Sequence, residues 1–252
     1  MNACFKLLFK ETLESVLFSN IVIVNTKNYI IYLILFVFSC GEKFTLQSYN
    51  QETIQIESEK DSTILAIIQP YKDSIEHKMN KVLTYTKYDL KKGKPSSTLG
   101  NFVTDLCLYY ANADICIMNN GGLRTNIDKG EITLEQIYQL MPFENELVLL
   151  KLNNDEYIEM LKYIIHRGGE PFSGIKITTN KNGDLIDFDN KRKDSILVLT
   201  TDYLANGGDR MSFFNDKEID QVGIKLRDAI IDYCKRNDTI SVKIDDKIKF
   251  IN

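Results

Sequence analysis

Apolar residues recur at two different spacings along the chain from residue 62 onward, and segments of the two kinds alternate. Spacings of three and four residues, which put apolar side chains on one face of an α-helix, occur at 62–83, 96–113, 131–143, 153–169 and 222–237. Short and nearly continuous apolar runs, typical of buried strands, occur at 114–118, 146–152 and 196–204. A hairpin is predicted at 173–189 and a terminal pair of strands at 240–250. This alternation predicts a single α/β (α+β) domain with helices covering mixed sheets.

Local signals set the ends of several of these elements. Thr133 and Gln136 have the spacing of a capping box at a helix start, and Pro142 ends the same helix. The dipeptide Asn182-Gly183 predicts the turn of the hairpin. Because Pro70 lies inside the first helical segment, we predict a helix that bends or restarts there.

The first 61 residues differ in character from the rest. Lys27 precedes the apolar stretch 29–38, which would rise only about 15 Å as a helix, whereas the hydrocarbon core of a bilayer is about 30 Å thick. A basic start, a short apolar region and a small residue before the break are typical of a secretory signal. The letters "VFSC" resemble a bacterial lipobox, in which the cysteine, here Cys40, is lipidated. We therefore predict a signal segment at 27–40, a polar tether at 41–61 and the globular domain at 62–252.

An alternative stays open for this end of the chain. A second apolar run, 16–24, lies just upstream and would give a longer membrane anchor, although the polar residues 25–28 interrupt it. Under the lipoprotein interpretation residues 1–26 have no role, and a translation start assigned too early explains them best. The lipoprotein interpretation predicts a protein anchored by lipid in a bacterial envelope, facing the periplasm or the cell surface.

Charge and cysteine content narrow the classes of partner and fold. The chain has 31 Lys and Arg against 35 Asp and Glu, a net charge of −4, whereas nucleic-acid-binding domains carry a basic field. We therefore expect no nucleic-acid partner. Three cysteines follow Cys40, an odd number: Cys107 and Cys116, which lie in apolar sequence, and Cys234. This pattern favours buried free thiols over a disulfide framework.

The sequence contains no self-sufficient catalytic centre. Its two histidines, His77 and His166, lie in unrelated helical segments, and we expect both to be solvated or structural. A binuclear metal hydrolase needs several histidine and aspartate ligands on converging loops. Neither a phosphate-binding P-loop nor a G-x-S-x-G nucleophile motif is present. We expect no cofactor and no metal site in this chain.

Two similar loops follow two of the predicted strands. One, "MNNGGLR", ends at Arg124, and the other, "DYLANGGDR", contains Tyr203 and Asp209. Paired glycines let the backbone adopt positive φ and approach a ligand, and open α/β sheets bind ligands beyond the carboxyl ends of their strands. Arg124 suits a phosphate or a carboxylate, and Asp209 suits a vicinal diol or a ring amide. Phe143 and Tyr203 are placed where a planar base could stack.

A structural interpretation of these residues also stays open. Asn-Gly-Gly is common turn chemistry, Phe143 could belong to the core, and Arg124 could pair with Asp128. The local chemistry does not decide between a ligand site and ordinary turns.

The ordered motifs "LGN", "NNGGLR", "GEIT", "MPF", "SGIK" and "ANGGD" resemble those of the C-terminal domain of the 5′-nucleotidase family, from about Thr63 to the end of the chain. In that family this domain holds the nucleotide, while a separate N-terminal metallophosphoesterase domain holds two metals and cleaves the phosphate. The resemblance implies six substrate contacts. These are Asn119 and Arg124 on the phosphate and ribose side, Phe143 and Tyr203 around the base, Asp209 on the ribose hydroxyls, and Gly174 near the base pocket.

Two departures from the family pattern bear on the ligand. Pro95 and Ser96 stand where the family usually has an arginine and a glutamate before "LGN". This weakens a phosphate contact unless Lys92 or Lys94 substitutes as a point charge. Tyr203 stands where phenylalanine is common, which is a mild change.

The resemblance therefore implies a nucleoside- or nucleotide-binding domain that takes part in catalysis only with a separately encoded metallophosphoesterase chain, which would supply the divalent metals. The alternative is a non-catalytic nucleoside-binding lipoprotein for capture or salvage, which the weakened phosphate contact favours. A degenerate domain without a ligand is a third interpretation.

Overall fold

The computed structural model describes residues 61–189, 194–245 and 247–251. The predicted signal segment, the predicted lipidation site Cys40 and the tether up to residue 60 lie outside these ranges. Of the helices within these ranges, none has the length and apolar character needed to cross a membrane.

Helices and strands alternate through the described ranges, which confirms the predicted fold class. The helices are α1 (Ser62–Met79), α2 (Thr98–Tyr110), α3 (Leu134–Leu140), α4 (Asn154–His166), α5 (Asp202–Ala205) and α6 (Leu226–Arg236). The strands are β1 (Val82–Thr86), β2 (Ile115–Ile117), β3 (Gly130–Thr133), β4 (Glu146–Leu152), β5 (Phe172–Ser173), β6 (Ile177–Asn180), β7 (Leu185–Phe188), β8 (Ile196–Thr201), β9 (Asp220–Lys225), β10 (Thr239–Ile240) and β11 (Ile248–Ile251). Two short 3₁₀ turns, Gly208–Arg210 and Ser212–Phe214, follow α5.

A five-stranded sheet of order β5-β2-β8-β4-β9 forms the centre of the domain. Its strands β2 and β8 are parallel neighbours, with Cys116 opposite Leu199, and the other pairings are antiparallel. Both faces of the sheet are covered: Cys116 and Leu199 pack into one buried cluster, while Ile115 and Val198 pack into another. Burial on both faces explains why β2 and β8 are continuous apolar runs, since each buried aliphatic side chain contributes roughly 1.5–3 kcal/mol.

Two smaller sheets flank the centre, with orders β10-β1-β3 and β11-β6-β7. The predicted terminal strand pair at 240–250 is wrong, because its two strands belong to different sheets. Strand β10 pairs in parallel with β1, and β11 pairs in parallel with β6. The hairpin of β6 and β7 is confirmed, with Gly183 at a φ of 86° in its turn.

Most of the local helix signals are confirmed. Thr133 and Gln136 form the predicted capping box of α3, and Ser97 accepts from the Gly100 N–H at the start of α2. Asn153 and Glu156 form a second capping box at the start of α4. Such reciprocal bonds satisfy the backbone N–H groups that a helix start leaves unpaired.

Three predicted helical segments include residues of a strand; for 131–143 these are the last residues of β3, which ends at the capping residue Thr133. The segment 62–83 gives α1 and then the start of β1, and the segment 222–237 gives the end of β9 and then α6. Helix α1 forms one helix with Pro70 inside it, so the predicted restart is wrong. Most of its apolar side chains are exposed, and none of its residues is buried.

Candidate functional site

The two Asn-Gly-Gly loops meet at one edge of the central sheet. Strands β2 and β8 are parallel neighbours, so their carboxyl ends, and the loops that follow them, lie side by side. Between the loops lies a cavity of about 590 Å³, within the size range of small-molecule sites. The segment after α3 closes a third side through Met141 and Phe143.

Five of the six residues implied by the family resemblance line this cavity: Asn119, Arg124, Phe143, Tyr203 and Asp209. The sixth, Gly174, is not among the lining residues. It has a φ of 95°, and a Cβ there would lie 2.2 Å from the carbonyl oxygen of Asp114. The packing of β5 against β2 is therefore sufficient to require glycine at this position.

The two aromatic side chains of the cavity are exposed. Phe143 is 42% exposed and Tyr203 is 48% exposed, whereas a buried aromatic ring removes 150–250 Å² from water. Phe143 therefore does not belong to the core, which was the alternative interpretation. Two exposed rings in one cavity offer flat apolar surface to a planar ligand.

Arg124 carries the positive charge of the cavity. Its Nη1 donates to the carbonyl oxygen of Gly121 at 3.2 Å, and its Cζ lies 5.9 Å from the centre of the Phe143 ring. Among the described residues, no carboxylate forms an ion pair with Arg124, and the alternative pair with Asp128 is therefore not formed. The guanidinium keeps donors that a phosphate or carboxylate could accept.

Asp209 brings an acceptor pair to the cavity. Its Oδ2 accepts from the Asn119 side-chain amide, and its Oδ1 accepts from the Tyr203 hydroxyl at 3.3 Å. Each carboxylate oxygen can accept two hydrogen bonds, so the group retains capacity for two further donors. Asp209 has a φ of 52°, a left-handed conformation that is uncommon for residues other than glycine and clusters at functional sites.

The glycines of the two loops act differently from one another. Gly207 adopts the predicted positive φ, at 83°. Gly121, Gly122 and Gly208 do not, so the positive φ inferred for the paired glycines holds at one of the four positions. A Cβ at Gly122 would lie 2.7 Å from Oδ1 of Asn119, so a side chain there would displace the asparagine that hydrogen-bonds to Asp209.

The segment before "LGN" lies outside the cavity. None of Lys92, Lys94, Pro95 and Ser96 is among the lining residues. The Lys94 Nζ instead donates to the carbonyl oxygen of Arg167 and lies 3.9 Å from Oε1 of Glu170. In this arrangement neither lysine supplies the positive charge that the family's arginine would bring.

Sequence reasoning missed Arg227, which holds the Phe143 segment from behind. Arg227 is 5% exposed, and it donates to the carbonyl oxygens of Met141 at 3.3 Å and Phe143 at 3.2 Å, and to the carboxylate of Glu144. Its Cζ lies 4.4 Å from the centre of the Tyr138 ring. Arg227 stands three residues before one apolar residue of α6 and seven residues before another, so it lies on the buried face of the helix. This spacing was the signal in the sequence that could have identified it.

Charge around Glu144 is concentrated at the rim of the cavity. Hydrogen bonds from Lys225 and Arg227 lower the pKa of Glu144 to about 2.

Within the described ranges no group of three or more histidine, cysteine, aspartate or glutamate side chains is arranged to hold a metal ion. His166 is exposed, and its Nδ1 contacts the carbonyl oxygen of Lys162.

Known proteins resemble this chain across the cavity-forming region. The family described as 5′-nucleotidase, C-terminal domain matches residues 79–216, which is more than half of the 252 residues. The chain is 23% identical to an apyrase of Tabanus yao over 84% of its own length and 46% of the relative. It is 30% identical to the trifunctional nucleotide phosphoesterase protein YfkN of Bacillus subtilis, over 59% of its own length and 12% of the relative.

Solved structures share the fold. The crystal structure of a 5′-nucleotidase precursor from Thermus thermophilus superposes with a TM-score of 0.64 at 24% identity, over 75% of this chain and 42% of the other. The NAD nucleotidase of Haemophilus influenzae superposes with a TM-score of 0.60 at 20% identity, over 77% and 42%. The chain spans less than half of the length of each of these relatives.

Proposed function

The chain belongs to the 5′-nucleotidase family through its C-terminal domain, and from this premise we propose that it is the nucleoside- or nucleotide-binding domain of a 5′-nucleotidase-type phosphohydrolase. One observation carries the proposal. Two exposed aromatic rings, a guanidinium and a carboxylate converge on a single cavity of about 590 Å³.

The chemistry of the cavity matches the parts of a nucleotide. Phe143 and Tyr203 supply ring surfaces on which a base stacks, at roughly 1–3 kcal/mol per base. The Asp209 carboxylate accepts hydrogen bonds from a ribose diol. Arg124 supplies a planar, always charged fork for phosphate. Asn119, hydrogen-bonded to Asp209, orients that carboxylate.

Hydrolysis would need groups beyond the cavity. Phosphate ester hydrolysis in the family uses two metal ions, which polarise the phosphoryl oxygens and activate water. We propose that a separate metallophosphoesterase chain supplies these divalent metals and meets this chain at the cavity. Co-expression with candidate metallophosphoesterases tests the partnership: a stable complex that hydrolyses AMP supports it, and the absence of both complex and activity with every candidate sinks it.

Binding is the first property to measure. Calorimetric titration of the purified chain with AMP, adenosine, adenine and inorganic phosphate, each with and without a divalent metal, separates the contributions. We expect adenosine and AMP to bind without added metal and more tightly than adenine. The absence of binding by both would overturn the proposal.

A second candidate function is nucleoside capture without catalysis. Its support is the position of Lys94, which contacts Arg167 and Glu170 rather than the cavity, so Arg124 supplies the positive charge without help from that lysine. Equal or tighter binding of adenosine than of AMP would favour this function. Strict dependence on the phosphate would favour the phosphohydrolase.

The proposed location is the bacterial envelope, with a lipid at Cys40. The motif and its setting support this proposal. Metabolic labelling with a radioactive fatty acid tests it: label is expected on the natural chain and absent from Cys40→Ser. Label retained by the variant would contradict it.

A further inference from the structure

Two side chains behind the cavity hydrogen-bond to the two Asn-Gly-Gly loops without lining the cavity themselves. Tyr163, in the last turn of α4, donates its hydroxyl to the backbone carbonyl oxygen of Asp209 at 2.9 Å. Glu170, just after α4, accepts from the backbone N–H of Asn120 at 2.7 Å and from its side-chain amide at 3.0 Å. The end of α4 therefore holds the first loop through Glu170 and the second through Tyr163.

Arg167 connects these two contacts. Its Nε donates to Oε1 of Glu170 at 3.1 Å, and its Cζ lies 5.9 Å from the centre of the Tyr163 ring. The circuit is completed on the cavity side, where Asn119 donates to Asp209. A closed circuit of contacts fixes the separation of the loops more firmly than a single contact, because no member can shift without disturbing its neighbours.

Glu170 is held as a buried charge. It is 2% exposed, and a buried carboxylate is costly unless it is paired and hydrogen-bonded. Asn120 and Arg167 provide those hydrogen bonds, and Lys94 adds a second positive charge at 3.9 Å. The backbone before Glu170 packs closely against Pro95, because a Cβ at the preceding Gly169 would lie 2.2 Å from the carbonyl oxygen of Pro95.

This packing gives Lys94 and Pro95 a role that the family pattern does not predict. They stand at or next to the arginine and glutamate positions of the family, yet here they contact the segment that carries Glu170. The pre-"LGN" segment thus supports the first loop indirectly.

The second loop needs support for a separate reason. Asp209 has a φ of 52° and Arg210 a φ of 64°, and non-glycine residues hold such conformations only where the surroundings impose them. Tyr163 contacts the carbonyl of the first of these residues. The ordinary pKa of a tyrosine, about 10, already keeps the hydroxyl protonated at neutral pH, and burial raises the pKa of Tyr163 further.

We propose that Glu170 and Tyr163 are positioning residues of the nucleotide cavity, which fix the separation of Asn119 and Asp209 and thereby the affinity for the ribose of the ligand. This inference rests on the proposed function, since it takes the ligand to be a nucleoside or nucleotide. Neither side chain is expected to contact the ligand.

The test compares Tyr163→Phe and Glu170→Gln with the natural chain in calorimetric titrations with adenosine, AMP and adenine. Tyr163→Phe removes one hydrogen bond, whereas Glu170→Gln removes the charge and one of the two acceptor oxygens that hold Asn120 and Arg167. We expect adenosine and AMP to bind about five-fold more weakly to each variant. Adenine, which has no ribose for Asp209 to bind, should keep its affinity. Glu170→Ala, which removes both acceptors, should cost more than Glu170→Gln.

Matched controls exclude general effects of these substitutions. Tyr109→Phe changes an exposed tyrosine of α2, and Glu218→Gln changes an exposed glutamate outside the cavity lining. Both should bind adenosine as the natural chain does. Tyr163→Phe keeps the proposal testable even if Glu170→Gln fails to fold.

A second readout needs no ligand. In hydrogen–deuterium exchange, Tyr163→Phe should raise exchange in residues 207–210, and Glu170→Gln should raise it in residues 119–122. If the natural chain binds adenosine and both variants bind it equally well, the positioning role is overturned. A parallel loss of adenine affinity would also overturn it, because that loss marks a general defect. If the natural chain binds neither adenosine nor AMP, the proposed function fails. If hydrogen–deuterium exchange in the two loops is also unchanged in Tyr163→Phe and Glu170→Gln, these side chains do not support the loops either.

Discussion

The side-chain amide of Asn119 donates a hydrogen bond to the carboxylate of Asp209, although 90 residues separate the two in sequence. The contact exists because β2 and β8, the strands before the two loops, pair in parallel. The other carboxylate oxygen accepts from the Tyr203 hydroxyl at 3.3 Å. The group proposed to bind ribose is thus engaged on both oxygens by the protein's own donors.

Tyr203→Phe should therefore tighten nucleoside binding. A ribose hydroxyl that approaches Oδ1 of Asp209 must share that oxygen with the Tyr203 hydroxyl, which weakens both hydrogen bonds. Phenylalanine keeps the ring for stacking and removes the second donor. We expect adenosine to bind roughly two- to five-fold more tightly and adenine to bind unchanged. Calorimetry measures both, with Tyr88→Phe, an exposed tyrosine outside the cavity lining, as the control. Weaker binding would mean that the hydroxyl donates to the ligand.

Phe143→Ala should weaken the binding of adenosine, AMP and adenine alike. Loss of one stacking surface costs roughly 1–3 kcal/mol, or about 5- to 150-fold in affinity. Stability should change little, because the ring is 42% exposed. Phe250→Ala, at a ring that is 56% exposed on β11, is the matched control. Unchanged affinity for all three ligands would favour a degenerate domain over a binding domain.

The elements around the cavity were predictable where burial is complete. Strands β2, β4 and β8 and helices α2 and α4 have strong apolar patterns because tertiary contacts cover them on one face or both. Strands β1 and β9 were missed because the buried positions of β1 are the polar Thr84 and Thr86, and β9 has no buried residue. Helix α1 was predicted from its apolar spacing, yet its apolar face is not buried. Apolar spacing indicates one face of a helix, but it does not say whether another element covers that face.

The residues that line the cavity were predictable for a different reason. The residues implied as substrate contacts belong to motifs that resemble those of a family, whereas the side chains that hold them in place lie outside those motifs. Arg227, Tyr163 and Glu170 reach the cavity loops from other elements, and no local pattern encodes such contacts. The parallel pairing of β2 and β8 is equally nonlocal, since register depends on the packing of both faces.

The three cysteines of the described ranges should resist labelling in the folded protein. Cys107, Cys116 and Cys234 are free and buried. Burial raises the pKa of Cys234 to about 12 and that of Cys116 well above its ordinary value, while the thiolate is the reactive form. After iodoacetamide treatment at pH 8, peptide mapping should find these three unmodified, and all three modified in guanidinium. Modification of Cys116 in the folded chain would show that the central sheet opens.

Glu144 should stabilise the fold above about pH 4.5 and lose this effect in acid. Hydrogen bonds from Lys225 and Arg227 lower the pKa of its carboxyl from 4.5 to about 2. A carboxyl with a lowered folded-state pKa binds protons more readily in the unfolded chain, so its contribution is complete above 4.5 and disappears as the pH falls toward 2. The side chain is 61% exposed, so salt should also weaken the contribution.

Urea unfolding of the natural chain and of Glu144→Gln, between pH 3 and pH 7, measures this contribution. The difference in the free energy of unfolding should be constant above pH 5, shrink steadily below pH 4.5 and be smaller in 1 M salt. Glu218→Gln, at an exposed glutamate outside the cavity lining, should show no such pH-dependent difference. A difference for Glu144→Gln that stays constant down to pH 3 would mean that the carboxylate does not depend on Lys225 and Arg227, and that Arg227 holds Phe143 through its backbone contacts alone.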